Sequence, residues 1–474
     1  MKIKNIHFTG IKGVGMTPLA IIAKEAGFYI TGSDVDKKFI TDESLKKAGI
    51  VPYLGFAKEN IKDADLVIIT GAHGGFNNVE AEAARNRGVT VWTQGKAVGK
   101  FMDGELFSRK FYGISVAGTH GKTTTTGMIA TILRGVGLDP TFVIGTSSLP
   151  SLPNAGYFGK GFYFVAEADE YATEPLSDQT PKLLWQHPKI AVLTNIDFDH
   201  PDIYSSIDEI REVFLKFAQN LPEDGILIAC GDDPQIKMLI NDYRGNVITY
   251  GFSDTNDYKI KKINYSNTQS FFWIEGRGVN LGEFTLNVLG EHNVLNGLAA
   301  IIACLELGVS MDKIKKEAVK FKGSKRRAEY IGCLNSGALL FDDYAHHPTE
   351  IKKTLRAFKE GFPKSKIICF FQPHTYSRTK KLFDEFLYSF SDADEVIISN
   401  IFSSEREGID PSVSSQLLVQ SMAKLHPNVR FMPGLEDVIK YIGQKSYKRN
   451  SVIITMGAGD IYKVNSKLKF NNNA

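Results

Sequence analysis

Cysteine is scarce: Cys230, Cys304, Cys333 and Cys369 are the only four in 474 residues, and no two form a C-x-x-C pair. That excludes a disulfide-stapled scaffold and a cysteine-ligated zinc ribbon. The apolar neighbours of all four predict buried thiols in a reducing compartment. Net charge is also small, +3 from 56 basic and 53 acidic residues. It gives no basis for a nucleic-acid or membrane-surface partner. No apolar run is long enough to span a bilayer, and Met1-Lys2-Ile3-Lys4 leads straight into a strand, so a cytoplasmic location is expected. There is no internal repeat, and the only biased segment is a polar tail, Asn465 to Ala474, expected to fray.

What remains is the composition of ordinary globular protein, 43% hydrophobic and 23% charged. The length is too great for one core and suggests about three domains. Periodicity places them at 1–110, 111–324 and 325–474, each with strands alternating with helices in the α/β manner.

The most informative stretch is Val116-Ala117-Gly118-Thr119-His120-Gly121-Lys122-Thr123-Thr124. It lies between an apolar strand and a helix with Met128, Ile129, Ile132 and Leu133 on one face. Gly118 and Gly121 let backbone N–H groups turn toward an anion at a helix N-terminus. Lys122 is placed to reach outer phosphates, and the Thr123 hydroxyl to ligate phosphate-bound Mg²⁺. Val116 stands where the full G-x-x-x-x-G-K-[ST] pattern has its first glycine, so only the shorter form is present.

Two further strands of the central domain end in polar motifs. Phe162 to Val165 leads into Glu167-Ala168-Asp169-Glu170-Tyr171, where Glu167 is the first candidate for an Mg²⁺ ligand. Asp169 and Glu170 read alternatively as charges at a helix start. Ile190 to Leu193 leads into Asn195 and then Asp199-His200, a histidine placed for a metal or a phosphate. An antiparallel meander is expected over 257–289, with Gly290-Glu291-His292-Asn293 after it and before a helix. Asn293 suits either an N-cap or an adenine edge.

In the first domain, Gly10-Ile11-Lys12-Gly13-Val14-Gly15 ends the first strand of a βαβ unit. Its G-x-x-G-x-G order is not the dinucleotide fingerprint, yet it presents N–H groups to a diphosphate. Ser33-Asp34 ends the second strand, and His73 and Asn78 lie beyond a third, where loops gather on one sheet edge. In the last domain four strands end in Asp342-Asp343-Tyr344-Ala345-His346-His347-Pro348-Thr349, in Gln372-Pro373-His374-Thr375-Tyr376-Ser377-Arg378, in Asn400 with Glu405-Arg406 beyond, and in Gly457-Ala458-Gly459-Asp460. Lys322 to Arg327 is a basic hinge candidate.

Taken in order, these motifs resemble the Mur ligase family along essentially the whole chain. The double histidine, His346-His347, is similar to that of the members acting directly on UDP-N-acetylmuramate. The 372–379 and 457–462 segments are most similar to the members that add L-alanine. Glu167 to Tyr171 is closer to members that attach the recycled tripeptide L-Ala-γ-D-Glu-meso-diaminopimelate. Ala172 to Trp185 and Gln94-Gly95-Lys96 are unusual for either. A nucleotide-binding regulator without catalysis is the alternative from another class, since fold does not fix function.

The resemblance implies a Rossmann-like first domain for the UDP-sugar and a P-loop ATPase-like central domain, with a mostly parallel sheet plus a small antiparallel one. It implies a Rossmann-like third domain on the amino-acid side. The substrates would be ATP, UDP-N-acetylmuramate and L-alanine, with Mg²⁺. Gly118 to Thr124, Asn195, His292, Asn293, Arg327 and Asp343 would hold the nucleotide, and Thr123, Glu167 and His200 the metal. Gly10, Gly13, Gly15, Ser33, Asp34 and His73 would take the UDP end. His347, His374 and Arg378 would face the amino acid, with Lys122, Glu167, His200, His347 and Arg378 catalytic.

Overall fold

The computed structural model describes residues 3–175, 177–403, 407–445 and 447–471. Glu405 and Arg406 lie outside the described residues. Three sheets divide the chain. The first is all parallel, in the order Tyr53–Leu54, Tyr29–Asp34, Asn5–Thr9, Leu66–Ile69, Thr90–Thr93. Chain order reverses on either side of Asn5–Thr9, and the crevice at that switch point is where the loop from Gly10 to Gly15 emerges. Ile6 and Phe8 are buried, as the short apolar pattern requires.

The central sheet has ten strands among the described residues. Tyr112–Ala117 lies in its middle, between Ile190–Leu193 and Tyr163–Ala168, all parallel. All three polar motifs therefore leave the same sheet edge. The expected small antiparallel sheet is real but not separate. Strands Tyr258–Ser266, Gln269–Gly276 and Val279–Leu286 form the meander and continue the parallel sheet through Tyr250↔Tyr258 and Gly251↔Lys259. The side chain of Asp257 stitches this junction by accepting from the amide and the hydroxyl of Thr249, both at 2.8 Å.

The third sheet runs Glu329–Cys333, Leu339–Asp343, Ser451–Met456, Lys366–Phe371, Glu395–Ile398, Val429–Phe431, with only the first strand antiparallel. Over its described residues the tail does not fray as expected. Ile461–Lys467 is a 3₁₀ turn, the buried Asn465 bonds Thr455 on the last strand, and Phe470 bridges to Leu334. A polar composition misleads here because one asparagine finds a buried partner. Cys230, Cys304 and Cys369 are buried and Cys333 is half-buried; all four are free thiols. Among the described residues no helix is long and apolar enough to cross a membrane.

The two unusual sequence segments turn out to be each other's partners. Ala172–Glu174 and Asp178–Pro181 form a two-stranded ribbon, and the turn Lys182–Trp185 packs on the helix Gln94–Met102 of the first domain. First and central domains also share apolar packing, since Val143, Phe164 and Ala166 belong to the first domain's core cluster.

Candidate active site

The phosphate loop has the backbone its glycines permit. Gly118 has φ of 128° and Gly121 of 88°. A Cβ at Gly118 would run into Thr194, and one at Gly121 into Asn296, so both positions need glycine. Helix Lys122–Gly135 starts with no side-chain cap, leaving its first N–H groups and positive dipole end to an anion. Asn195 clamps the loop from the neighbouring strand end. Its Oδ1 accepts from the His120 amide and its Nδ2 donates to the His120 carbonyl, both at 2.9 Å.

Lys122 folds back into this loop. Its Nζ donates to the carbonyls of Gly118 (2.6 Å) and Thr119 (3.1 Å) and to Glu170 Oε2 at 2.8 Å. Thr123 Oγ1 donates to Glu167 Oε2 at 3.0 Å, while Glu167 Oε1 accepts from the Gly145 amide at 2.6 Å. Burial raises the carboxyl of Glu167 above its ordinary value. Glu170 is 2% exposed and its Oε1 has no hydrogen-bond partner. An oxygen-rich, electron-donating set that includes an orphaned buried carboxylate oxygen fits a hard divalent cation such as Mg²⁺. His200 stands beside it, with Nε2 3.7 Å from Glu170 Oε1.

Two cavities meet at this loop. One, of about 310 Å³, is lined by His120, Gly121, Thr124, Asn195, His292, Asn293, Arg327 and Asp343. It gathers all the nucleotide-side candidates of the central and third domains beyond the loop itself. Asn293 is not the N-cap; Gly290 is, and the Asn293 amide donates to the Leu289 carbonyl at 2.7 Å. Burial lowers the His292 imidazole to about 3 and pushes the Asp343 carboxyl up to about 6. Asp343 accepts from the amides of Ala328 and Ala345, fixing the hinge beside Arg327.

The other cavity, of about 420 Å³, runs from Gly15 and Gln94 of the first domain past Lys122 and Glu167 to His346, His374 and Arg378 of the third. Arg378 was expected to meet a substrate carboxylate. It meets one of the chain's own, donating Nε and Nη2 to Asp199 Oδ1 at 3.1 and 2.9 Å. His347 is likewise committed. Its Nδ1 accepts from the Thr349 amide, capping helix Pro348–Gly361, and its Nε2 faces the Phe198 carbonyl at 3.1 Å. Sequence reasoning missed the adjacent His346, which does line the cavity. Its Nδ1 lies 2.9 Å from the Tyr344 carbonyl and must carry the proton there, leaving Nε2 bare. Burial and the neighbouring Arg378 depress its imidazole to about 3, and that of His374 to about 4, so both are neutral. A cap box of the form His-Pro-Thr-Glu was the available signal that the second histidine, not the first, is structural.

In the first domain the ligand candidates divide. Gly10, Gly13 and Gly15 form the expected loop, but Ser33 is fully buried and donates to Glu80 Oε2 at 2.6 Å. Asp34 is also buried, and its Oδ2 accepts from the Lys12 amide at 2.8 Å. These two residues organise the glycine loop instead of projecting from it. For Asp34 the reason is the glycine loop's own amide, and for Ser33 it is Glu80, a buried carboxylate that also takes hydrogen bonds from Thr9 and Asn60 and pairs with His7. His73 has φ of 55° and lies 3.7 Å from Asp34. Asn78 caps the helix Val79–Asn86 and donates to the His73 carbonyl.

His120 latches the phosphate loop to the third domain. Its Nε2 lies 3.2 Å from Asp197 Oδ2 and its Nδ1 3.3 Å from Glu350 Oε1. Thr349 donates to the same Asp197 oxygen at 2.6 Å. The ligand atoms of His120, Asp197 and His347 lie within 4.8 Å of one another. Each already has a hydrogen-bond partner, so the trio is a latch across two domains. Burial opposes charge on His120, but hydrogen bonds to Asp197 and Glu350 outweigh it and raise the imidazole to about 9. A raised folded value contributes stability that is complete below 6.5, the ordinary value, and is lost as pH rises through 9. The melting-temperature gap between the wild type and His120→Gln is therefore expected to narrow over that range. A gap independent of pH would mean that His120 is neutral in the latch.

Comparison with known proteins agrees with this geometry. Residues 5–105 match the Mur ligase family catalytic domain, 116–304 the Mur ligase middle domain, and 326–459 the Mur ligase glutamate ligase domain. A UDP-N-acetylmuramate–L-alanine ligase from Desulfitobacterium hafniense is 41% identical over 465 residues, covering 98% of this chain and 99% of that one. One from Acetivibrio thermocellus is 39% identical over 98% of this chain and 95% of its own. The solved UDP-N-acetylmuramate–alanine ligase of Thermotoga maritima superposes with a TM-score of 0.80 at 28% identity, covering 98% of both chains. A murein peptide ligase from Psychrobacter arcticus gives 0.69 at 26% identity and the same coverage. With all three family domains present in order and full-length relatives well above 30% identity, the chain belongs to the Mur ligase family of ATP-dependent ligases.

Proposed function

We propose that this chain joins L-alanine to the lactyl carboxylate of UDP-N-acetylmuramate with consumption of ATP. The observation that carries the reading is the meeting of two cavities at one phosphate loop, one lined by Asn195, His292, Asn293, Arg327 and Asp343 and the other spanning all three domains. Full-length similarity to alanine ligases supports the choice of substrates.

ATP lies in the first cavity, with its phosphates on the amides of Gly118 to Thr124. The acceptor enters the second cavity from the first domain. A carboxylate oxygen attacks the γ-phosphorus and ADP leaves, giving an acyl phosphate. The alanine amine then attacks the acyl carbon, the tetrahedral intermediate expels phosphate, and the amide remains. A carboxylate and a triphosphate repel each other, so the work is positioning and charge neutralisation. Lys122 supplies one positive charge. Thr123 and Glu167, with His200 nearby, would hold Mg²⁺, which would supply further neutralisation of phosphate charge. Neutral His346 lines this cavity with its Nδ1 proton committed to the Tyr344 carbonyl, so its other ring nitrogen accepts a hydrogen bond from the amine, and the proton the amine loses leaves with the departing phosphate or to water.

The test is phosphate release with ATP, Mg²⁺ and UDP-N-acetylmuramate, comparing L-alanine, L-serine, glycine and L-Ala-γ-D-Glu-meso-diaminopimelate. L-Alanine is expected to drive release best. Release driven only by the tripeptide would transfer the protein to peptide recycling, and release with none of the four would end the substrate assignment.

A further inference from the structure

The helix Gln94–Met102 carries glycines at 95 and 99, one turn apart and on the face that meets Lys182–Trp185. A Cβ at Gly95 would lie 2.8 Å from Lys182 Cγ and 3.1 Å from its Cα, and one at Gly99 would strike the Trp185 carbonyl oxygen. Lys96 adds a cation over the Trp185 ring, 5.3 Å from its centroid. Only glycine allows this approach. Its result is to carry Lys182, at the end of the ribbon, into the second cavity.

There Lys182 Nζ lies 2.8 Å from Asp169 Oδ2 and 5.4 Å from the centroid of the Tyr171 ring, with its side chain 21% exposed. Asp169 adjoins Glu170 in the chain and lines the same cavity as Glu167. Its own side chain is 38% exposed, so it does not depend on Lys182 alone for company. The other cations of the cavity have fixed duties. Lys122 closes the phosphate loop, Arg327 pairs with Glu350, and Arg378 grips Asp199 through two N–H groups. Lys182 differs from the arginines in kind. It is a point charge on a flexible stem, able to move from Asp169 to an anion entering between the first and central domains.

We infer that Lys182 is the acceptor-side anion-binding residue: its ammonium leaves Asp169 to hold the carboxylate that is to be phosphorylated. This rests on the acceptor reading given above. Its effect is to neutralise the incoming carboxylate before it faces the triphosphate, from a turn seated on the first domain. The glycine-seated turn is then what gives the first domain's ligand a charged contact from the central domain.

The experiment is titration calorimetry of the full chain with UDP-N-acetylmuramate and with UDP-N-acetylglucosamine, which lacks the lactyl carboxylate. The wild type is expected to favour the muramate. Lys182→Met is expected to weaken muramate binding roughly tenfold or more and to leave glucosamine binding unchanged. Lys182→Gln, which keeps a hydrogen bond to Asp169 and so protects folding, is expected to show the same selective loss. Equal losses for both ligands would reduce Lys182 to a domain spacer and overturn the inference, as would undiminished muramate binding. Binding of neither ligand by the wild type would instead strike the acceptor assignment, and this inference with it.

Discussion

Replacing Lys122 with methionine is expected to lower amino-acid-dependent phosphate release by about 10²–10³-fold, the usual loss when one preorganised charge at a reacting centre is removed. The ammonium sits at the helix N-terminus inside the loop, bonded to the carbonyls of Gly118 and Thr119. An entering triphosphate meets it without any reorganisation of the backbone. The substitution also strips Glu170 of its cation, and Glu170 is buried with one oxygen already lacking a hydrogen bond. Lys122→Met should therefore lower thermal stability as well as rate. Adding Glu170→Gln removes the stranded charge, so the double variant is expected to recover melting temperature but not turnover. Recovery of turnover would show that Lys122 serves the fold and not the phosphates.

Arg378→Met is expected to destabilise the chain by about 3–5 kcal/mol, the range seen when one partner of a buried pair is deleted. Both side chains are under one-tenth exposed, and the guanidinium gives two N–H groups to a single oxygen of Asp199. Asp199 belongs to the central domain and Arg378 to the third, so the stranded carboxylate would sit at their junction. Combining Arg378→Met with Asp199→Asn should restore much of the loss in urea titration. A midpoint unmoved by Arg378→Met alone would mean that the pair is open in solution and the arginine free to take a substrate carboxylate.

The phosphate loop was legible in the sequence because its determinants are local. Two glycines, a lysine and an apolar helical face within eighteen residues fix both the turn and the helix after it. The position of Glu167 beside the loop was legible for the same reason, as an acid at the end of a buried strand. Residues whose meaning depends on distant partners were misread or passed over. Ser33 and Asp34 stand where a ribose contact belongs, yet Glu80, far along the chain, claims the serine hydroxyl and the glycine loop claims the aspartate. Nothing near His120 in sequence announces that Asp197 and Glu350 flank it. His346 and His347 are chemically identical neighbours, and only the start of a helix at Pro348 separates the cavity-lining one from the capping one. The segment 172–185 looked anomalous because its partner, the glycine face of another helix, lies far back in the chain.

The pairing of the cations has a consequence for what can enter. Lys122 holds Glu170, Lys182 holds Asp169, Arg327 holds Glu350 and Arg378 holds Asp199. An anion that arrives alone at Lys122, Arg327 or Arg378 must evict an acid whose side chain is at most 11% exposed, so binding there is an exchange with little net gain, whereas Asp169, 38% exposed, stays in reach of water when Lys182 changes partner. Inorganic phosphate and chloride are poor competitors on those terms. A nucleotide travelling with its divalent cation brings a new home for the evicted acids along with its own negative charge. The nucleotide side of the resting site thus discriminates by stoichiometry of charge, admitting matched ion pairs, while Lys182 leaves the acceptor side open to a carboxylate.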